Sequence, residues 1–399
     1  MIKLNAGHQY YDGEFKIVVK DKDGNIKQEL DWQKNLFLEN GMRIIFSAYN
    51  DPTAKPLNNR GEVSDYGSYI PQFLFIGTGN SDPTIDQVAL DNPVGYVGIN
   101  VQLGQNSYEE PATGLHEGFC KVSTTFTYTF NNFTQNYNIT ELGLACRTFG
   151  DPLTTGAYVL GTRALIKDNT GTALPVSILV GEILQVYYKI NVYIDVRRKT
   201  GEFTLTKTDA GGATTDETFE YFIQPVNIIQ ANAFGNMYSE YQGYSRRVIS
   251  AGVKETDDEL DDSYSLTDDV YNSITYKDTS AINQKTTGTW LETNNSRNNV
   301  GNLATNYAFN TVIKHDYPTL THTERYLTGI NTHNHANGIR SFVIYLNNIK
   351  NNASSDAGFS TSNLLVVVKN KANGQGIKKT NTYTWTLEWS YTIGRWQGD

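Results

Sequence analysis

The strongest regularity along the chain is a two-residue alternation of apolar and polar positions, the period of a half-buried strand. It runs through Val122, Thr124, Phe126, Tyr128 and Phe130, and again through Val186, Tyr188, Ile190, Val192 and Ile194. Near the end of the chain Tyr383, Trp385, Leu387, Trp389, Tyr391 and Ile393 hold every second place, with Thr382, Thr384, Thr386, Glu388, Ser390 and Thr392 between them. That run predicts a strand whose aromatic face is covered by a sandwich core or by another subunit. "FKIVVK" and "IKQELDW" flank "DKDGN" and predict a hairpin, with Asp23-Gly24 as the positive-φ pair of a tight turn. "FLFIG" reads as a buried strand running out into the Gly-rich turn "GTGNSD" at 77 to 82. One segment breaks the alternation. Leu38, Met42, Ile45, Phe46 and Tyr49 share a stripe of 3.6-residue period, which predicts a short helix from Lys34 to Tyr49. The expected fold is mainly β: antiparallel β-sandwich domains with one short N-terminal helix.

With 399 residues, two domains are the first expectation. The texture changes at "RRKTGEFTLTKTDAGG" from Arg197, so a boundary is placed near 200. It divides a β-rich 1–199 from a β-rich 200–399, whose polar stretch from 254 to 310 predicts long loops. A net charge of -9 is the wrong sign for holding a nucleic acid by its phosphates. No apolar run approaches the roughly 20 residues of a bilayer helix, so membrane insertion is not expected. The first residues lack the apolar core of a secretory signal. Cys120 and Cys146 stand outside any CxxC pair and read as free buried thiols.

Candidate chemistry is sparse. The acids between Glu255 and Asp269 suggest calcium ligation, but no EF-hand register is present, and a solvated acidic loop is the simpler reading. His333 and His335 have HxH spacing, which on a strand sends both imidazoles to one face and suits a transition metal. An exposed loop with two incidental histidines explains them as well. "GTGNSD" lacks the GxxxxGK[ST] and GxGxxG spacings and runs straight into Pro83, which makes it a tight turn and not a phosphate cradle. GxSxG and HExxH are absent from the sequence, and no cofactor and no enzyme activity are expected.

Four ordered blocks carry a resemblance: "WQKNLFLENGMRIIFSAY", "FLFIGTGNSDPTIDQVALDNPVG", "FTYTFNNFTQNYNITELGLACR" and "VLGTRALIKDNTGTALPVSILVGEILQVYYKINVYI". Together they resemble virion structural proteins of tailed bacteriophages, of the tail-fibre or baseplate-associated kind. Gly77 to Asn80, Pro83, Leu90, Thr140 to Leu144, Arg163 to Asp168 and Gly181 to Tyr187 stand at the matching places. The resemblance covers about residues 30 to 195, and "GIKKTNTYTWTLEWSYTIGRW" is similar to the end of such proteins. It implies a structural subunit of a phage tail, made in the host cytoplasm and carried in the virion. Its partners would be other tail or baseplate proteins and its own copies, with a trimer favoured. Tyr221, Phe222 and Tyr241, in a stretch rich in Tyr, Phe and Met, are the expected interface residues. The alternative is a carbohydrate-binding or depolymerising receptor module acting on a host surface glycan, to which the aromatic and acidic content is suited.

Overall fold

In a computed structural model the described residues are 2–46, 57–62, 73–98, 106–109, 118–147, 158–195, 197, 199–208, 211–230, 244–246, 283–286, 312–316, 319–327, 335–345, 361–374, 376–379, 382 and 386–398. The chain opens with β1 (Ile2–Lys20) and β2 (Ile26–Phe37), followed by α1 (Glu39–Phe46). Then come β3 (Phe73–Gly77), β4 (Pro93–Gly98), β5 (Asn106–Glu109), β6 (Phe119–Phe130) and β7 (Tyr137–Ile139). β8 (Glu141–Arg147), β9 (Tyr158–Leu160), β10 (Thr162–Leu165), β11 (Val176–Ile178) and β12 (Ile183–Asp195) complete the first half. The second half holds β13 (Lys199–Thr208), β14 (Thr214–Gln230), β15 (Tyr244–Arg246), β16 (Asn283–Thr286), β17 (Val312–Asp316) and β18 (Thr321–Leu327). It ends with β19 (His335–Tyr345), β20 (Thr361–Asn370), β21 (Ile377–Lys379) and β22 (Thr386–Arg395). The fold is mainly β and its sheets are antiparallel apart from one strand pair.

β1 organises the larger sheet. One of its edges pairs with β12 without interruption from Gln9↔Ile194 to Lys20↔Ile183, and β12 pairs in turn with β6. The other edge is shared. Its C-terminal part, from Gly13 to Lys20, pairs with β2, while Ile2 to Tyr11 pairs with β22 in parallel. β22 pairs on its far side with β18, and β18 with β17. Strands from beyond residue 200 therefore belong to the same sheet as the N-terminal strands, while β13, β14, β15, β16, β19, β20 and β21 form a second sheet. The change of texture at Arg197 falls between β12, which ends at Asp195, and β13, which starts at Lys199.

Alternation decides what is buried. Tyr11, Phe15, Ile17 and Val19 of β1 and Leu184, Val186, Tyr188, Ile190 and Val192 of β12 enter one apolar core with residues of β3, β6, β8, β10, β11 and α1. Full burial of each such side chain contributes about 1.5–3 kcal/mol.

Two local expectations need correction. The helix starts at Glu39 and not at Lys34, because Lys34 and Asn35 pair with Glu14 and Gly13 while Leu36 and Phe37 pair with Arg163 and Thr162. Leu38, Met42 and Ile45 do form its buried stripe; Tyr49 lies outside the described residues. The first hairpin does not use a positive-φ pair either. Gly24 alone is left-handed, at φ 87°, and the Asp21 carboxylate accepts the N–H groups of Asp23 and Asn25. The turn is the kind with a type I bend closed by a left-handed glycine.

Candidate functional site

A buried ion pair joins β10 to β8 in the first half. Arg163 on β10 and Glu141 at the start of β8 are both fully buried, each within an apolar run of sequence. Arg163 Nε donates to Glu141 Oε2 at 2.9 Å, one terminal nitrogen donates to Asp91 Oδ2 at 2.8 Å, and the other reaches Gln87 Oε1 at 2.7 Å and Ser81 Oγ at 3.2 Å. Glu141 also accepts the backbone N–H groups of Gly79 at 3.0 Å, Asn92 at 2.9 Å and Asp91 at 3.2 Å. The Gly-rich turn is thus a loop folded over a carboxylate, and the N–H groups of Thr78, Gly79 and Ser81 are already engaged. A Cβ on Gly77 would stand 2.5 Å from Glu141 Oε1, and one on Gly79 would collide with Asp91 as well, so the glycines admit the carboxylate. Burial alone would raise the Asp91 pKa, but the Ser81 hydroxyl and N–H and the Arg163 guanidinium outweigh it and hold the carboxyl below its ordinary value.

The segments carrying Gly77 to Asn80, Thr140 to Leu144 and Arg163, separate in sequence, meet at this cluster. Sequence reasoning named Glu141 and Arg163 only within the blocks that carry the resemblance and missed their pairing. The visible signal was charge inside "NITELGLAC" and "VLGTRALI". These contacts clamp the loop to the sheet.

A different surface lies on the outer face of β1 and β12. Tyr10, Asp12 and Glu14 stand directly opposite Tyr193, Asn191 and Lys189 and point away from the core. Asn191 Nδ2 donates to Asp12 Oδ1 at 2.6 Å, the Tyr193 hydroxyl to Asp12 Oδ2 at 3.2 Å, and Lys34 Nζ bridges Asp12 and Glu14 at 2.9 and 3.1 Å. At one end Trp396 stacks on Tyr193, with ring centroids 4.0 Å apart, beside Tyr10 and Phe119; Arg197 lies over Phe119. At the other, Lys189 Nζ sits 4.0 Å above the Trp32 ring. Beyond the aromatics, the Asp195 carboxylate is fully buried and takes Arg197 at 2.8 Å and Lys199 at 3.1 Å. Burial lowers the His8 pKa, Asp195 opposes that, and Lys199 and Arg197 add to it. This face presents half-buried rings and the exposed Lys34 ammonium above a network in which Asp12 and Asn191 are themselves buried.

The expected interface aromatics divide. Phe222, expected at an interface between copies, is fully buried within the second sheet of its own chain. Tyr221 is half-buried and lies across Gly201 of the neighbouring strand, its hydroxyl 2.6 Å from where a Cβ would stand. Tyr221 and Phe222 are thus used inside their own sheet, because both β13 and β20 flank β14 there. Tyr241, His333 and the acidic stretch 255–269 lie outside the described residues. His335 begins β19, opposite Lys379. Among the described residues no three His, Cys, Asp or Glu side chains converge as a metal site, and no helix is long and apolar enough to cross a membrane. Cys146 is free and buried, its thiol pushed up to about 12 by that burial. Compared with protein-family models, curated proteins and solved structures, the chain matches none, so the functional argument rests on its own residues.

Proposed function

We propose that the chain is a structural subunit of a bacteriophage tail, a tail-fibre or baseplate-associated protein that acts by assembly and docking. The observation that carries this reading is the Arg163–Glu141–Asp91 cluster. The blocks that resemble phage virion proteins supply the charged partners, the glycines and the loop that closes over them. A fully satisfied buried cluster specifies one loop conformation and has no group left for turnover. Labelled antibody raised against the purified chain tests the reading by electron microscopy of virions from the source culture. Label at a constant position on the tail is expected; label absent from particles whose lysate contains the protein would overturn it.

The outer face of β1 and β12 favours a second reading, contact with a host surface glycan. Aromatic faces stack on the C–H faces of sugars, while the exposed Lys34 ammonium beside them offers a donor for hydroxyls. A glycan array separates the readings. Specific binding that Tyr10→Ala abolishes while the far-ultraviolet spectrum is unchanged supports the glycan, and no binding to any sugar removes it.

A further inference from the structure

We infer that β13 is a self-association edge, at which a second copy of this chain adds its own β13 antiparallel to form a sheet continuous across a twofold axis. This goes beyond the tail reading and does not depend on it.

Sheet edges are templates for strand addition, and proteins blunt them with short strands, prolines, bulges or outward charges. Most edges here are short: β4 has six residues and begins at Pro93, β17 has five, β5 and β16 have four, and β9 and β15 have three. β13 has ten residues, contains no proline, and pairs among the described residues with β14 alone. Its ladder with β14 runs without a bulge from Lys199↔Ile223 to Thr208↔Thr214. The outward side chains are Thr200, Glu202, Thr204, Thr206 and Thr208, all exposed, so the strand itself places one charge in five on that face, where Glu202 pairs with Lys371 at 2.7 Å. On the inner face Phe203 and Leu205 are buried, and Lys199 and Lys207 are each held by a carboxylate of their own chain, Asp195 at 3.1 Å and Glu217 at 2.6 Å.

The sequence of the strand also selects its register. With the twofold axis at Thr204, Phe203 faces Leu205, Glu202 faces Thr206, Gly201 faces Lys207 and Thr200 faces Thr208. Apolar groups meet on the inner face and threonines on the outer, and no like charges are opposed. Centring on Phe203 would set Lys199 against Lys207, and centring on Leu205 would set Phe203 against Lys207. Thr204 is the centre that avoids both. The self-complementarity required of a twofold interface is thus present in one strand.

Sedimentation velocity on the full chain from low to high micromolar concentration tests the proposal. A dimer, or an even-numbered assembly built from dimers, is expected. Thr204→Lys, which opposes two ammonium groups at the axis, should raise the dissociation constant at least tenfold, whereas Thr206→Lys, facing Glu202 of the second copy, should leave it unchanged or lower it. Under mild oxidant Thr204→Cys should form a disulfide between copies far faster than Thr206→Cys, with the unsubstituted chain as the control for its own thiols. A monomer throughout the range, an assembly unaffected by Thr204→Lys, or equal cross-linking at both positions would overturn the inference. These residues are exposed, so unchanged thermal unfolding of each variant separates a lost edge from a lost fold. Failure of virion labelling would leave this result untouched.

Discussion

Arg163 shows what a single buried charge demands of its surroundings. Its donors are distributed over Glu141, Asp91, Gln87 and Ser81, and Glu141 is held in turn by three backbone N–H groups. Breaking such a pair from one side leaves an uncompensated charge in the core and costs about 3–5 kcal/mol. Glu141→Gln and Arg163→Met are each expected to destabilise by that amount in urea titrations, and the double variant by less than the sum of the two, because the second change removes the orphaned partner. Equal and additive effects would mean that the groups are not coupled. Cys146 is a simpler case: a buried thiol with a raised pKa is inert, so peptide mapping after treatment with a thiol reagent should find it unmodified in the native protein and labelled after unfolding. The oddity of Arg163 and Glu141 within apolar runs was legible in the sequence. Their partnership was not, since the contacts of Arg163 span 22 to 82 residues and nothing local selects among the available acids.

At the scale of elements, three turns follow one local rule. Asp21 to Asn25, Asn58 to Glu62 and Asp168 to Thr172 share one construction. In each, the first side chain accepts N–H groups two and four residues on, and the glycine at the fourth position is left-handed, at φ 87°, 79° and 84°. Asp or Asn three residues before Gly is the signature they share, although Asn92 and Gly95 have the same spacing at the start of β4. The start of α1 was misplaced because Lys34 to Phe37 fits a helix by period, yet the free edge of β1 and the short β10 offer it a ladder. Between elements, carboxylates act as ties: Glu182 to Lys27, Asp195 to Arg197 and Lys199, and Asp91 to Arg163. Burial pushes all three acids up, but hydrogen bonds and the facing cations overcome it, and their pKa values lie below the ordinary range. Because the folded values are below the unfolded ones, the stability they lend is complete above the unfolded range of about 4 and is lost as pH falls through the folded values. Thermal unfolding midpoints should therefore change little through these groups from pH 7 to about 5 and fall below about 4, and Asp91→Asn should flatten part of that fall. An acid limb unaltered by Asp91→Asn would show that this tie does not contribute.

For the whole molecule, the decisive join is between the two ends of the chain. β22 lies parallel to β1, Ile393 enters the first core, Arg395 donates to the Phe37 carbonyl at 2.6 Å, and Trp396 N–H donates to the Tyr11 carbonyl at 2.9 Å. Deleting residues 386–399 is expected to strip the edge of β1 from Ile2 to Tyr11, leave β18 with β17 as its one strand partner, and lower stability by more than the roughly 1.5–3 kcal/mol of Ile393 burial alone. A urea midpoint unchanged by the deletion would show that the first sheet stands without its last strand. This join also marks the limit of what a linear reading reaches. Strand character, the buried faces of β1 and β12, the buried stripe of α1 and the punctuation at the turns were determined by the sequence itself, because period, propensity and turn chemistry act within a few residues. Which strands pair, that β22 runs parallel to β1 while β2 runs antiparallel to it, that Phe222 is interior, and that Arg163 finds Glu141 were decided only by tertiary structure. A two-residue period is the same in either direction and on either sheet, and partners far apart along the chain are selected by the shape and charge of the assembled core.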